Sequence, residues 1–293
     1  MMRMMRPGAA GLLAAALMLV LFGPGQAMAD PALWVAKGPG AKVYLFGTIH
    51  MLPAGDRWMS AEVKQALEES TELWTEADIS NLANAVSALR HYGLDSSVDT
   101  ATLLPAVYRD RYRQEMAAAG APQVLFAHAR PWLAEILLSE AAMQKAAPMA
   151  FGAEATLLAY ARAHQMGTAT FETLDQQIAL MADMPQAVQL TALEQQIDEF
   201  DQAGAVFQKM VAAWHAGDQA ALEKLINQEI RSRSELVWTE LILRRNEHFE
   251  RQIEDMLQGT ATVFVAVGAG HLCGSDGVPA LLRERGVEVV RLK

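Results

Sequence analysis

Two histidines stand in matching places near opposite ends of the chain. His50 lies three residues after Gly47 in "VYLFGTIHMLP", and His271 lies three residues after Gly268 in "TVFVAVGAGHLC". Each follows an apolar run of the kind that forms a buried strand. A neutral imidazole is a strong ligand for divalent metals and a side chain that exchanges protons near pH 7. Glu76 closes a third strand-like run, "ELWTE". Two imidazoles with one or two carboxylates are an ordinary ligand set for Zn²⁺, Mn²⁺ or Co²⁺, and an open position on such an ion holds a water of lowered pKa.

For this chemistry the three runs must lie side by side and parallel. In an open α/β sheet the functional crevice lies beyond the carboxyl ends of the strands, where His50, His271 and Glu76 would then share one rim. The two imidazoles are expected on the order of 4–8 Å apart, given ligand bonds near 2 Å. Gly47, Gly268 and Gly270 permit a sharp exit from the strands and let backbone N–H groups approach a ligand.

Two further polar residues stand on apolar helix faces. Ile242, Arg245, Phe249, Ile253 and Met256 share one stripe of an expected helix over 235–257, and Asn246 stands beside it. A buried guanidinium requires a carboxylate or an anion, so Arg245 is expected to reach the rim and pair with Glu76 or Glu154. There it could stabilise negative charge developing on a scissile carbonyl. Glu154 precedes Leu157, Leu158 and Ala161 and also points inward, where a buried carboxylate needs a cation, a donor or a metal; it is expected to join His50 and His271 as a metal ligand. His91, His128, His164, His215 and His248 fall on polar faces or in loops and are given no site role.

The elements that position these residues read as an α/β frame with a helical middle. The pattern "ALWVAKGPGAKVYLF" predicts a hairpin turning at Lys37–Gly40. A loop with Pro53 and Gly55 follows His50, then a helix over 59–70 and the strand that ends in Glu76. From 80 to 258 the period is helical, with one strand-like interruption at 166–173. The end of the chain returns to strand, loop, helix and strand. The fold class is α/β (α+β): a central mixed sheet from two half-units that each contain Gly-x-x-His, with a large helical insertion. Residues 30–79 and 259–293 form the core and 80–258 the insertion.

The first 29 residues read as a secretory signal peptide. Arg3 and Arg6 open a short apolar run, and Ala27-Met28-Ala29 closes it as a cleavage site. Cleavage before Asp30 would leave 264 residues, change the formal charge from −10 to −12, and place the protein in a bacterial periplasm. No later segment suits a membrane span. The acidic balance excludes electrostatic attraction to nucleic acid. The single cysteine, Cys273, excludes an intramolecular disulfide. "VFVAVGAGHLC" departs from a dinucleotide fingerprint, with Cys273 where the third glycine would stand.

The segments "LFGTIHMLP" and "VFVAVGAGHLCGSDGVPALLRERGVEVVRL" resemble the TraB/PrgY/GumN family, distantly related to the Tiki-type proteases. "ARPWLAEILLSEAAMQKA", "GAEATLLAYARA", "FETLDQQ" and "LILRRNEHFERQI" also resemble its intervening segments. The resemblance implies an α/β core with helical insertions and a site built from His50, His271, Glu76, Arg245 and Asn246. Glu154 stands where the family more often has Asp, and Glu172 of "FETL" is a further candidate behind it. A metal-dependent hydrolase, with peptides as one substrate class, is the activity implied. The alternative is a non-catalytic binding protein that uses the same crevice for a peptide, a glycan or a metal.

Overall fold

The computed structural model describes residues 30–78, 82–118, 120 and 127–292. The expected signal peptide, 1–29, lies outside the described residues. Among the described residues there are eight strands: β1 (Leu33–Lys37), β2 (Lys42–Thr48), β3 (Met51–Pro53), β4 (Glu72–Thr75), β5 (Met149–Phe151), β6 (Gly167–Thr170), β7 (Thr262–Gly268) and β8 (Glu288–Arg291). Six of them form one mixed sheet in the order β6-β4-β7-β2-β1-β8. The chain is α/β, with this sheet and a large helical region.

The strand order follows from the burial pattern. In β2 and β7 almost every residue is apolar on both faces, which suits central strands covered on both sides. They pair in parallel, with Gly47 opposite Val267 and Thr48 opposite Gly268. β4 pairs in parallel with the other edge of β7, Thr75 opposite Ala266. The carboxyl ends of β2, β7 and β4 therefore lie next to one another. β1 turns back antiparallel to β2, as the hairpin pattern predicts. β7 lies between β2 and β4, so the two half-units interleave within one sheet.

Helices cover both faces. One face packs Phe46, Phe264 and Leu73 against Leu67, Leu157 and Trp214. The other packs Leu45 and Val265 against Phe249, Ile253 and Leu257 of the helix Arg244–Leu257. Side chains of this size each contribute about 1.5–3 kcal/mol on full burial. The long helix Gln186–His215 carries Trp214 in its last turn, and the indole N–H donates to the Gly47 carbonyl over 2.7 Å and ties that helix to the end of β2. A separate core gathers Tyr112, Leu138, Leu193 and Ile197 among the intervening helices.

Three local features differ from the sequence reading. The loop after His50 and the segment before Gly152 each form a three-residue strand, and β3 and β5 pair as a small antiparallel ribbon. Strands this short carry no alternation to read. The expected helix over 235–257 is broken by a wide π turn at Thr239–Leu243, and a second π turn occupies Lys224–Gln228. Such turns add a residue to one turn of the helix, and they often accompany functional residues. His271 lies in a 3₁₀ turn, Ala269–Leu272, where the sequence reads as a loop.

Candidate functional site

The ends of β2, β7 and β4 carry His50, His271 and Glu76 to one place. Glu76 is 4% exposed and His271 4% exposed, whereas the His50 side chain is 65% exposed. The point that a Cβ on Gly268 would occupy lies 3.1 Å from Glu76 Oε1, 3.6 Å from His271 Cδ2 and 3.8 Å from His50 Nε2. Glycine here keeps open a small cradle between two imidazoles and a carboxylate. Glu76 Oε1 lies 3.6 Å from His271 Nε2.

Each imidazole is held through Nδ1. His50 Nδ1 lies 2.7 Å from Glu154 Oε2. His271 Nδ1 lies 2.6 Å from Asn246 Oδ1, and Asn246 in turn donates its amide N–H to the Asp276 carbonyl over 2.7 Å. The Asn246 oxygen is thus the acceptor, His271 carries its proton on Nδ1, and its Nε2 lone pair faces the rim. Outer acceptors of this kind fix the tautomer and direction of a metal-binding histidine. Glu154, expected among the metal ligands, stands behind His50 as this anchor.

Arg245 is the hub. Its Nε donates to Glu172 Oε1 at 2.9 Å, and its Nη2 donates to Glu172 Oε2 at 2.9 Å and to Glu76 Oε2 at 2.5 Å. Its Nη1 donates to the Leu241 carbonyl at 3.2 Å and to His271 Nε2 at 3.1 Å. All three guanidinium nitrogens are engaged by the protein. Of the two expected partners, Arg245 takes Glu76, and its second carboxylate is Glu172 rather than Glu154. Glu172 is itself aligned by its backbone N–H, which donates to the Glu76 carbonyl at 2.9 Å.

Glu76 is restrained from every side. Oε1 accepts the Gly268 N–H at 2.6 Å, and Oε2 accepts from Gln177 at 2.8 Å as well as from Arg245. The Gly268 N–H is therefore spent on Glu76. Gly270 is packed under Ile226 and Asn227, at 2.9 and 3.0 Å from its Cβ position, and Gly47 lies against Ala269. Sequence reasoning missed Gln177 and Asn227. Each is a lone amide on a helix, and no spacing pattern marks it. Asn227, in the π turn Lys224–Gln228, donates to the Gly270 carbonyl at 3.0 Å and so braces the turn that carries His271.

The charges act strongly on one another. Burial opposes ionisation of Glu76, but His271, Arg245 and His50 outweigh it and hold the carboxyl well below the usual range. Burial pushes His271 down to about 4, so it is neutral at pH 7. The Glu154 carboxylate raises His50 to about 9. The lowered His271 pKa means that the unfolded chain binds a proton near pH 6.5 while the folded chain refuses it until about pH 4. Stability is therefore expected to peak near pH 6.5: the contribution of His50, raised to about 9, is lost as pH rises toward that value, and the contribution of His271 is lost as pH falls toward 4, with the Glu76 carboxylate adding to the loss at lower pH. Melting temperatures recorded from pH 8 to pH 4 check this; a flat profile between pH 6.5 and 5 would contradict it.

The donor types and their outer anchors fit a divalent ion. The spacing shown is that of a guanidinium-held cluster, in which Arg245 Nη1 takes the His271 Nε2 lone pair. Among the described residues no group of three or more His, Cys, Asp or Glu side chains is close enough as placed to hold an ion. Binding would require His271 Nε2 to exchange Arg245 for the metal. No helix among the described residues is long and apolar enough to cross a membrane.

The family model described as the TraB/PrgY/gumN family matches residues 32–291, and the chain belongs to that family. No curated protein matches it, and no solved structure does.

Proposed function

Starting from that membership, we propose that the chain is a periplasmic metal-dependent hydrolase acting on peptides at the rim of β2, β7 and β4. The observation that carries the reading is the shared posture of the two histidines. Each has Nδ1 anchored on an oxygen, by Glu154 or by Asn246, and each borders the cradle beside Gly268 where Glu76 Oε1 is the third donor. His50, His271 and Glu76 would hold a Zn, Mn or Co ion. When bound, such an ion polarises a scissile carbonyl and acidifies water at the site.

The chain's own groups have distinct tasks in this reading. Glu154 and Asn246 keep the imidazoles turned toward the rim. Gln177, the Gly268 N–H and Arg245 fix Glu76 so that its lone pairs point one way. Arg245 acts as a positioning residue, because its nitrogens are already engaged by Glu76, Glu172, Leu241 and His271. Substrate approaches from the side of His50, the exposed member.

A second reading is favoured by one observation. The group expected to meet an oxyanion, Arg245, has no nitrogen free of a protein partner, which suits a binding protein that holds a peptide, a glycan or a metal without turning it over. A peptide-library cleavage assay on chelator-treated protein, repeated after adding Zn²⁺, Mn²⁺ or Co²⁺, separates the two. The hydrolase reading expects cleavage only after a metal is restored. Peptide binding without cleavage under every metal would replace it with the binding reading.

A further inference from the structure

We infer that Thr48 is a further catalytic residue of this rim, its hydroxyl donating a hydrogen bond to the attacking water held in the cradle beside Gly268; the inference rests on the hydrolase reading above. Thr48 ends β2, two residues before His50. It is 2% exposed, and its Oγ1 is buried with no hydrogen-bond partner among the described residues. A buried hydroxyl left unpaired destabilises a fold, and valine, of nearly the same shape, avoids that cost. The rest of β2 takes that course, with Val43, Leu45 and Phe46 apolar and fully buried. A hydroxyl at the one position next to the rim points to a partner other than the chain itself.

Two observations set this hydroxyl beside the cradle. The parallel register puts Thr48 opposite Gly268, and opposed residues of a parallel pair look to the same face on strands about 4.8 Å apart. The face is fixed by the residues two earlier. Phe46 and Ala266 both belong to the core that contains Trp58, Ala153 and Ala269, so Thr48 and Gly268 turn to that side as well. Gly268 has no side chain to fill its share of the face. The point its Cβ would take is the cradle, 3.1 Å from Glu76 Oε1, 3.6 Å from His271 Cδ2 and 3.8 Å from His50 Nε2. Thr48 is therefore the neighbour of the cradle on the β2 side, and the core around it on that face is apolar.

The occupant follows from the donors and acceptors. An ionised carboxylate only accepts, and a threonine hydroxyl has one proton to give. Glu76 Oε1 accepts the Gly268 N–H and keeps capacity for a second donor. A group bonded to both Glu76 and Thr48 must donate and accept at once and fit where a single methyl carbon would stand. Water meets both demands. It donates to Glu76 Oε1 and accepts from Thr48 Oγ1, and its oxygen is held next to His50, the side from which substrate enters. The bond from Thr48 strengthens as negative charge builds on that oxygen during attack, so it acts on kcat rather than on KM.

The test compares wild type with Thr48→Val, which keeps the shape and removes the hydroxyl, and Thr48→Ser, which keeps the hydroxyl. A crystal structure of the metal-free wild type should show an ordered oxygen within hydrogen-bond distance of both Thr48 Oγ1 and Glu76 Oε1. Thr48→Val should remain folded by its melting curve. With metal restored, its kcat for peptide cleavage should fall about 10–100-fold at unchanged KM, the range for a hydrogen bond to a charged group, while Thr48→Ser keeps most of the activity. A kcat of Thr48→Val equal to wild type overturns the inference, because a hydroxyl that only steadies the strand end would change stability and not turnover. So does a crystal structure in which Thr48 Oγ1 bonds to a protein group. An oxygen bridging Thr48 and Glu76 in a protein that cleaves no peptide under any metal supports the placement of Thr48 and overturns the hydrolase reading alone.

Discussion

Arg245→Ala is expected to destabilise the protein by about 3–5 kcal/mol, the range for removing one partner of a buried ion pair. The reason is what it leaves behind. Glu76 is 4% exposed, the Glu172 side chain 9%, and both carboxylates face the same guanidinium. Without it two negative charges remain close together in a dry site, and the bare His271 Nε2 loses its donor. Such a loss is a large fraction of the roughly 5–15 kcal/mol that holds a typical domain. Arg245→Lys keeps the charge but has no planar fork, so it can answer one carboxylate and not two carboxylates and an imidazole together. It should fall between alanine and wild type. Denaturant unfolding at pH 7.5 measures both; Arg245→Ala within about 0.5 kcal/mol of wild type would show that the cluster is not held by this residue.

Replacing His50 should act mainly on the reaction. Its side chain is 65% exposed, but its partner Glu154 is buried, so His50→Ala should cost about 1–3 kcal/mol, less than Arg245→Ala. On the hydrolase reading it removes a metal donor at the mouth of the site, and kcat/KM for peptide cleavage should drop by about 10²–10⁴, the range for losing a group that acts at the reacting centre. Glu154→Gln removes only the anchor behind His50 and should lose about 10–100-fold. Its pH dependence has a definite sign. Glu154 raises His50 to about 9, so a metal must compete with a proton up to that pH. Metal affinity of the wild type should rise with pH until about 9, and in Glu154→Gln the rise should end at lower pH. Equal rates in wild type, His50→Ala and Glu154→Gln would remove His50 from the reaction.

The frame of the site is readable because its signals are local. An apolar run, a glycine and a histidine three residues later place His50 and His271 at strand ends, and the parallel pairing of β2 with β7 does the rest. Arg245 is legible as a cation on an apolar helix stripe, which must find a carboxylate. Which carboxylate is not legible. Glu172 reaches Arg245 because β6 joins β4 at the sheet edge and carries the chain on past Glu76, a pairing set by tertiary geometry. Glu154 reads as a rim ligand because its helix face points inward. The approach of Gly152 to Ile49 instead brings that helix start up beneath His50. The β3–β5 ribbon leaves no trace because three residues hold barely one alternation. The π turn before Arg245 leaves none because the stripe read from the sequence, Ile242 to Met256, lies almost wholly beyond it.

Metal stoichiometry in wild type and His50→Ala tests the central claim most directly. Both proteins are stripped with chelator, confirmed folded by their melting temperatures, and titrated with Zn²⁺, Mn²⁺ and Co²⁺ at about pH 9, where protons compete least with the metal at His50. The account predicts one ion per wild-type chain for at least one of the three metals, and roughly a 100-fold or greater loss of affinity in His50→Ala with the variant still folded. Tight binding of one ion by both proteins, or of none by wild type, would contradict it.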